Sequence, residues 1–259
     1  MMNRISKAFI LMAALMLVGC KQGAQNGQET VPVQGVAATD AEKPVAVSGK
    51  LVSENEYQLC GKTYTSKGDF SPEEYRGNAS GVVTFTGFPA SYEEFADLYE
   101  NFLGKTPQGT AALATMAMEI YFRDAEAGEK CVDLLCSSGC AGEVKRGVGE
   151  KVRSWKQNDK YGQRYLPAAV LKGASAENGY QPQTPYTIEM KASVNRHEKV
   201  QISDIGTCLY IYVMGDGWDS HQRPVQVFLP EGGDHYKMWS ASALYMQCKN
   251  TAKEFVELK

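Results

Sequence analysis

One change of period governs what this chain can become. From Tyr92 to Trp155 apolar residues recur every three or four positions, whereas from Tyr186 onward they alternate with polar ones or run together in short blocks. The first period is that of helices with one buried stripe, the second that of strands in a sheet. Helices grouped before strands predict an α+β fold: a helical body packed with a C-terminal antiparallel sheet or small partly open barrel.

Local signals place the elements. Tyr57–Tyr64 and Gly81–Thr86 are short β candidates, parted by the turn-rich SKGDFSPEEYRGNAS. Ser91 followed by Glu94 opens the first helix as a capping box, with Tyr92, Phe95, Leu98, Tyr99 and Phe102 on one face. Thr106-Pro107 opens a second in cap-then-proline order, and Leu113, Met116, Ala117, Ile120 and Tyr121 form its stripe, interrupted by Glu119 and Arg123. A third covers Glu126 to Cys136, and a fourth follows the spacing of Val144, Val148, Val152 and Trp155, weakened by Gly147 and Gly149. Residues 156–184 read as irregular, their tyrosines covering the protein's own core. Strands are expected at Tyr186–Lys191, Cys208–Met214, Val225–Leu229 and Tyr236–Trp239. Ala243–Lys249 reads as an edge strand or a short helical turn.

The chain begins differently. Arg4 and Lys7 precede the apolar run Phe9–Val18, which is short for a permanent span, and Leu17-Val18-Gly19-Cys20 fits a lipoprotein cleavage site. Cleavage before Cys20 and acylation of that cysteine would make the lipid membrane the partner at this end. Four segments follow: a leader at 1–19; the lipidated cysteine and a flexible tether at 20–50; a mainly helical region with short β elements at 51–184; and a β-rich region at 185–259, packed on the preceding one as a unit. Lys21 after the anchor is not the aspartate that retains many such proteins at the inner membrane, so outer-membrane attachment is expected, with either side of that membrane compatible.

The formal net charge is −3, and without the leader's two cations −5. No basic stripe offsets it, which argues against nucleic acid as a partner. Besides Cys20 there are six cysteines, an even number that an oxidising compartment could pair. Cys136 and Cys140 could close a small loop at a helix end. Cys208 and Cys248 fall in the same strand-rich region. The spacing Cys131-x4-Cys136-x3-Cys140 lacks the tighter steps and fourth ligand of a structural zinc site.

Chemistry is sparsely signalled. Asp219-Ser220-His221 sets acid and base close in sequence, but without the third group and oxyanion donors that a nucleophilic triad needs. Nucleophile-elbow, zincin, Walker and dinucleotide motifs are absent from the sequence. His221 or His235 with Asp216, Asp219, Glu231 or Asp234 would suit a divalent metal, yet such residues in Gly-rich turns serve conformation first. No catalytic residue, metal ligand or cofactor is therefore assigned. Trp218, His221 and His235 stand as a candidate ligand surface, because an aromatic beside hydrogen-bonding groups suits a sugar or other flat ligand.

The strings Phe85-Thr86-Gly87-Phe88-Pro89-Ala90-Ser91-Tyr92-Glu93-Glu94-Phe95 and Leu103-Gly104-Lys105-Thr106-Pro107-Gln108-Gly109-Thr110-Ala111-Ala112 carry a resemblance. Tyr165-Leu166-Pro167, Glu177-Asn178-Gly179-Tyr180, Pro185-Tyr186 and Tyr236–Trp239 extend it over about residues 80 to 248. The chain resembles an uncharacterised family of lipoproteins from anaerobic gut and oral bacteria that carry a domain of unknown function. That resemblance implies no catalytic residue or substrate, and the cysteines at 131, 136, 140 and 248 look local to this chain. The expected role is a non-catalytic, lipid-anchored binding or envelope-associated protein whose partner is a glycan, a peptide or an envelope protein. The alternatives are a small extracytoplasmic hydrolase or metal-assisted enzyme, and a structural envelope protein.

Overall fold

Helices form one layer and strands the other. The computed structural model describes residues 47–71, 78–192, 200–202 and 206–259. Residues 1–46, where a leader, a lipidated Cys20 and most of a tether are expected, lie outside the described residues, as does His197. Four strands come first: β1 (Lys50–Ser53), β2 (Glu56–Leu59), β3 (Lys62–Gly68) and β4 (Ser80–Phe85). Four helices follow, α1 (Tyr92–Asn101), α2 (Pro107–Arg123), α3 (Ala125–Leu135) and α4 (Ser138–Lys156). The chain then returns to strands: β5 (Tyr186–Lys191), β6 (Val200–Ile202), β7 (Gly206–Met214), β8 (Gln222–Phe228) and β9 (Lys237–Ser240).

These strands make one antiparallel sheet in the order β1-β2-β3-β4-β5-β7-β8-β9, with β6 added beside β7. The sheet is open, and it is not confined to the C-terminal part. β4 and β5 pair from Ser80↔Lys191 to Phe85↔Tyr186, so the early strands and the late ones are one surface and the helices are an insertion between them. Residues 45–259 form one compact unit. The pairing follows from alternation: Val83 and Phe85 on β4 and Tyr186, Ile188 and Met190 on β5 all turn to the helical layer and are buried.

The β candidate at Tyr57–Tyr64 is two strands. Cys60 and Gly61 both adopt positive φ, 49° and 74°, and form the two-residue turn that matches strand twist in a hairpin. Gly61 was the only cue, because Cys60 is not a usual turn residue.

The helix starts follow their signals. The Ser91 side chain accepts from the Glu94 N–H, Thr106 accepts from Gly109 with Pro107 behind it, Asp124 caps α3 and Ser137 caps α4. The α2 helix departs from the expected single stripe. Nearly its whole circumference is buried, because it crosses the middle of the sheet against β3, β4, β7, β8 and β9 while the other helices cover its far side. Its many small residues allow this, and the partner helix matches them: a Cβ on Gly128 of α3 would lie 2.3 Å from Tyr121 Cα.

Residues 157–184 are irregular, with single 3-10 turns at Leu166–Val170 and Ala176–Asn178. Tyr165 and Tyr180 cover the core as expected, whereas Tyr161 is exposed and does not. Tyr165 stacks on the fully buried Tyr180 with ring centroids 4.6 Å apart. The C-terminal segment runs back across this region without regular structure. Gln163 exchanges hydrogen bonds with the Cys248 backbone at 2.7 and 2.8 Å, the Tyr180 hydroxyl donates to the Lys249 carbonyl, and the Phe88 N–H donates to the Lys259 carbonyl. Among the described residues no helix is long and apolar enough to cross a membrane.

Candidate functional site

The turn between β7 and β8 presses against the 3-10 turn at Leu166–Val170, and glycine makes this approach possible. A Cβ on Gly215 would lie 2.5 Å from the Ala169 carbonyl oxygen, and one on Gly217 2.6 Å from the Ala169 side chain. The Gly215 N–H donates to the His221 carbonyl and closes the hairpin. Beside this contact a cleft of about 380 Å³ opens, floored by Val170, Leu171 and Met214 and edged by Lys172, Glu189, Asp216 and His221.

Its rim holds one ion pair and one imidazole–carboxylate contact. Lys172 Nζ lies 2.7 Å from Glu189 Oε1, and His221 Nδ1 lies 2.9 Å from Asp216 Oδ1. All four side chains are substantially exposed, so both pairs stay hydrated. Strand register explains the composition: Met190 faces Val213, and their neighbours Glu189 and Met214 both line the cleft. Lys172 is fixed from the irregular side, its N–H donating to the Thr187 carbonyl and its carbonyl accepting from Gln183.

The candidate ligand surface is not one surface. Trp218 is buried, its Nε1–H donates to the Met246 carbonyl, and Arg223 lies over the ring at 4.2 Å. It closes the end of the sheet core. Both nitrogens of His235 are engaged, Nδ1 with Asp234 at 2.6 Å and Nε2 with the Glu100 carbonyl at 2.7 Å, and the ring stacks on Tyr99. The imidazole beside it holds the Asp234 carboxyl below its ordinary range. Only His221 opens on the cleft. Its acidic partner is Asp216, while Asp219, its nearer neighbour in sequence, pairs with Lys249 at 3.2 Å. The described lining contains no serine, threonine, cysteine or tyrosine. Among the described residues no three His, Cys, Asp or Glu side chains are grouped to hold a metal ion.

All six described cysteines are free thiols. Cys136 ends α3 and Cys140 lies in the first turn of α4. Cys208 and Cys248 are not a pair: Cys208 faces Phe228 at the open end of the β7–β8 hairpin, whereas the Lys249 N–H bonds Gly217 in the turn. The length of β7 between those levels is about 20 Å, far beyond the reach of a disulfide. Sharing a strand-rich region did not bring them to the same end of it.

Lys172 and Glu189 carried no recognisable motif. Glu189 could be assigned to the outer sheet face from its alternation with Ile188 and Met190, but its neighbours come from β7 and from the segment before β5.

A family model described as "Domain of unknown function (DUF6935)" matches residues 87–252. No curated protein and no solved structure matches the chain.

Proposed function

The chain belongs to the DUF6935 family, a domain of unknown function, and on that premise we propose a lipid-anchored cell-envelope protein whose body binds a small zwitterionic solute, such as an amino acid or short peptide, without transforming it. The observation that carries this reading is the pairing of opposite charges around an apolar floor. Exposed ion pairs contribute only about 0–1 kcal/mol each, so a ligand can open them at little cost. Its anionic group then takes Lys172, its cationic group takes Glu189 or Asp216, and its hydrocarbon part lies on Val170, Leu171 and Met214. A volume of about 380 Å³ suits a ligand at the small end of the usual range. With no hydroxyl or thiol in the described lining, Asp216–His221 has no adjacent nucleophile to activate.

Calorimetric titration of the full-length protein with dipeptides, their N-acetylated and C-amidated forms, and neutral disaccharides tests the solute class. Saturable binding should be confined to the zwitterions, and Lys172→Ala should weaken it about tenfold or more, as expected for loss of a hydrogen bond to a charged group. Equal binding of blocked or neutral compounds would overturn the assignment, and release of hydrolysed product would turn it toward the hydrolase. The anchor is supported by Leu17-Val18-Gly19-Cys20. Metabolic labelling with a fatty-acid analogue should mark the wild-type chain and leave Cys20→Ala unlabelled.

A further inference from the structure

The α1 helix has no cation of its own at its C-terminal end, where the last turn carries Glu100 and no basic residue. The carbonyls of that turn have no donor on a following turn, and they gather the negative end of the helix dipole. A side chain from elsewhere in the chain meets them. His235, in the loop between β8 and β9, brings Nε2 to 2.7 Å from the Glu100 carbonyl oxygen while its ring stacks on Tyr99 with centroids 5.3 Å apart. Its Nδ1 lies 2.6 Å from Asp234 Oδ1, and only 18% of the side chain is exposed.

The donor and acceptor inventory fixes the protonation state that this geometry needs. A carbonyl oxygen and an ionised carboxylate can only accept, so both ring nitrogens must donate, and only the imidazolium carries a proton on each. Asp234 is exposed and its carboxyl is held below the ordinary 3.8, so it is ionised wherever imidazoles titrate. A neutral ring that kept its bond to Glu100 would turn an Nδ1 lone pair on the Asp234 carboxylate. One that kept its bond to Asp234 would turn a lone pair on the Glu100 carbonyl.

We propose that His235 is a proton-operated clamp, which fastens the β8–β9 loop to the end of α1 while its ring is charged and slackens when the ring is neutral. The nearest charges are anionic. Besides Asp234, the Glu100 carboxylate places Oε2 3.6 Å from Nε2, and both attract the imidazolium and not the neutral ring. The neighbouring cations are occupied elsewhere: Lys237 Nζ donates to the Leu134 carbonyl and lies 5.1 Å from the Tyr99 ring centre, and Lys105, in the 3-10 turn Leu103–Lys105, acts on the Asp234 carboxylate.

The slackening is local. The Tyr236 N–H donates to the Gly104 carbonyl at 2.7 Å and the Tyr99 hydroxyl to the Tyr236 carbonyl at 3.2 Å, so β9 stays attached whatever the state of the ring. The stretch that gains freedom is Pro230–His235. Pro230 and Glu231 edge a cleft of about 660 Å³ beside Trp239 and the start of α4, and the clamp therefore sets how firmly that wall is held.

The test compares the full-length wild type with His235→Gln, whose amide can still donate to the Glu100 carbonyl but never becomes charged, at about pH 5.5 and about pH 8.5. A contribution that depends on the bound proton is present below the ordinary imidazole value of about 6.5 and is lost as pH rises. In urea unfolding, the substitution should raise the unfolding constant about tenfold at the lower pH and less than about threefold at the higher one, as for a cation at a partly buried helix C-terminus. Amide hydrogen exchange of residues 231–235, corrected for the intrinsic effect of pH, should be about tenfold faster at the higher pH in the wild type and unchanged in His235→Gln. In ¹⁵N NMR of the wild type, the ring should show two N–H protons protected from water at the lower pH. A substitution effect equal at both pH values, loop exchange in the wild type that is independent of pH, or a ring without two protected protons at the lower pH would overturn the proposal. The two wild-type measurements need no substitution to fold.

Discussion

Arg164→Met is expected to destabilise the protein by about 3 kcal/mol, because it strips a buried carboxylate of most of its partners. Glu119 is fully enclosed on α2. Its two oxygens accept from Arg164 Nη2 and Nη1 at 2.6 and 2.7 Å, and Oε1 also accepts from Arg123 Nε at 2.7 Å. The Arg164 guanidinium lies 5.4, 5.8 and 5.6 Å from the rings of Phe122, Trp155 and Phe255, and also meets Glu257. Breaking a buried pair from one side costs about 3–5 kcal/mol. The low end applies because Arg123 remains and methionine keeps much of the packing volume. For a body of this size about 3 kcal/mol lowers Tm by roughly 6–12 °C. Replacing both partners, Glu119→Leu with Arg164→Met, removes the uncompensated charge and should return to within about 1 kcal/mol of wild type. Urea unfolding of the wild type, both single variants and the double variant measures this coupling. A single Arg164→Met variant within about 1 kcal/mol of wild type, or a double variant less stable than either single one, would refute the reasoning.

Glu94 supplies the pH-dependent counterpart. Burial pushes its carboxyl up, but the Lys62 ammonium and the Ala90 N–H more than offset this and hold it below the ordinary 4.5. A depressed folded pKa stabilises fully above the ordinary value and loses that contribution as pH falls through the folded one. Glu94→Gln should therefore cost about 1 kcal/mol at pH 7, and urea midpoints of the two proteins should converge as pH is lowered from about 4.5. Two glycines should respond oppositely in thermal unfolding. Gly128→Ala drives a Cβ to 2.3 Å from Tyr121 Cα and should destabilise by about 1–3 kcal/mol, whereas Gly139→Ala enters open space in α4 and should be neutral or stabilising by up to about 1 kcal/mol.

Where one segment decides its own structure, the sequence was readable. Ser91 with Glu94, Thr106 with Pro107, and the alternation of Tyr186, Ile188 and Met190 each specify an element through neighbours a few residues away. Decisions made over long range were not readable in this way. Nothing local in Gly81–Phe85 says that it pairs with Tyr186–Met190 across the whole helical insertion. Likewise Glu119 looks like a polar interruption of an apolar helix until Arg164 and Arg123 are brought to it. Its burial is a property of the helix crossing the sheet between two layers.

The site failed to be legible for the same physical reason. Proximity in sequence suggested Asp219 as the partner of His221, yet the tight β7–β8 turn directs Asp219 toward Lys249 and leaves Asp216 to meet the imidazole. Lys172 comes from an irregular stretch and Glu189 from a strand, and each would be unremarkable alone. They become a site because Gly215 and Gly217 let the turn sit against Ala169, bringing the β5–β7 edge and the 3-10 segment to the two sides of one cleft. A side chain at either glycine would part those walls before it touched any charged residue. For the proposed solute binding, glycine at 215 and 217 is therefore as much a condition as the charged and imidazole side chains it brings together, although neither glycine can itself recognise a ligand's charge.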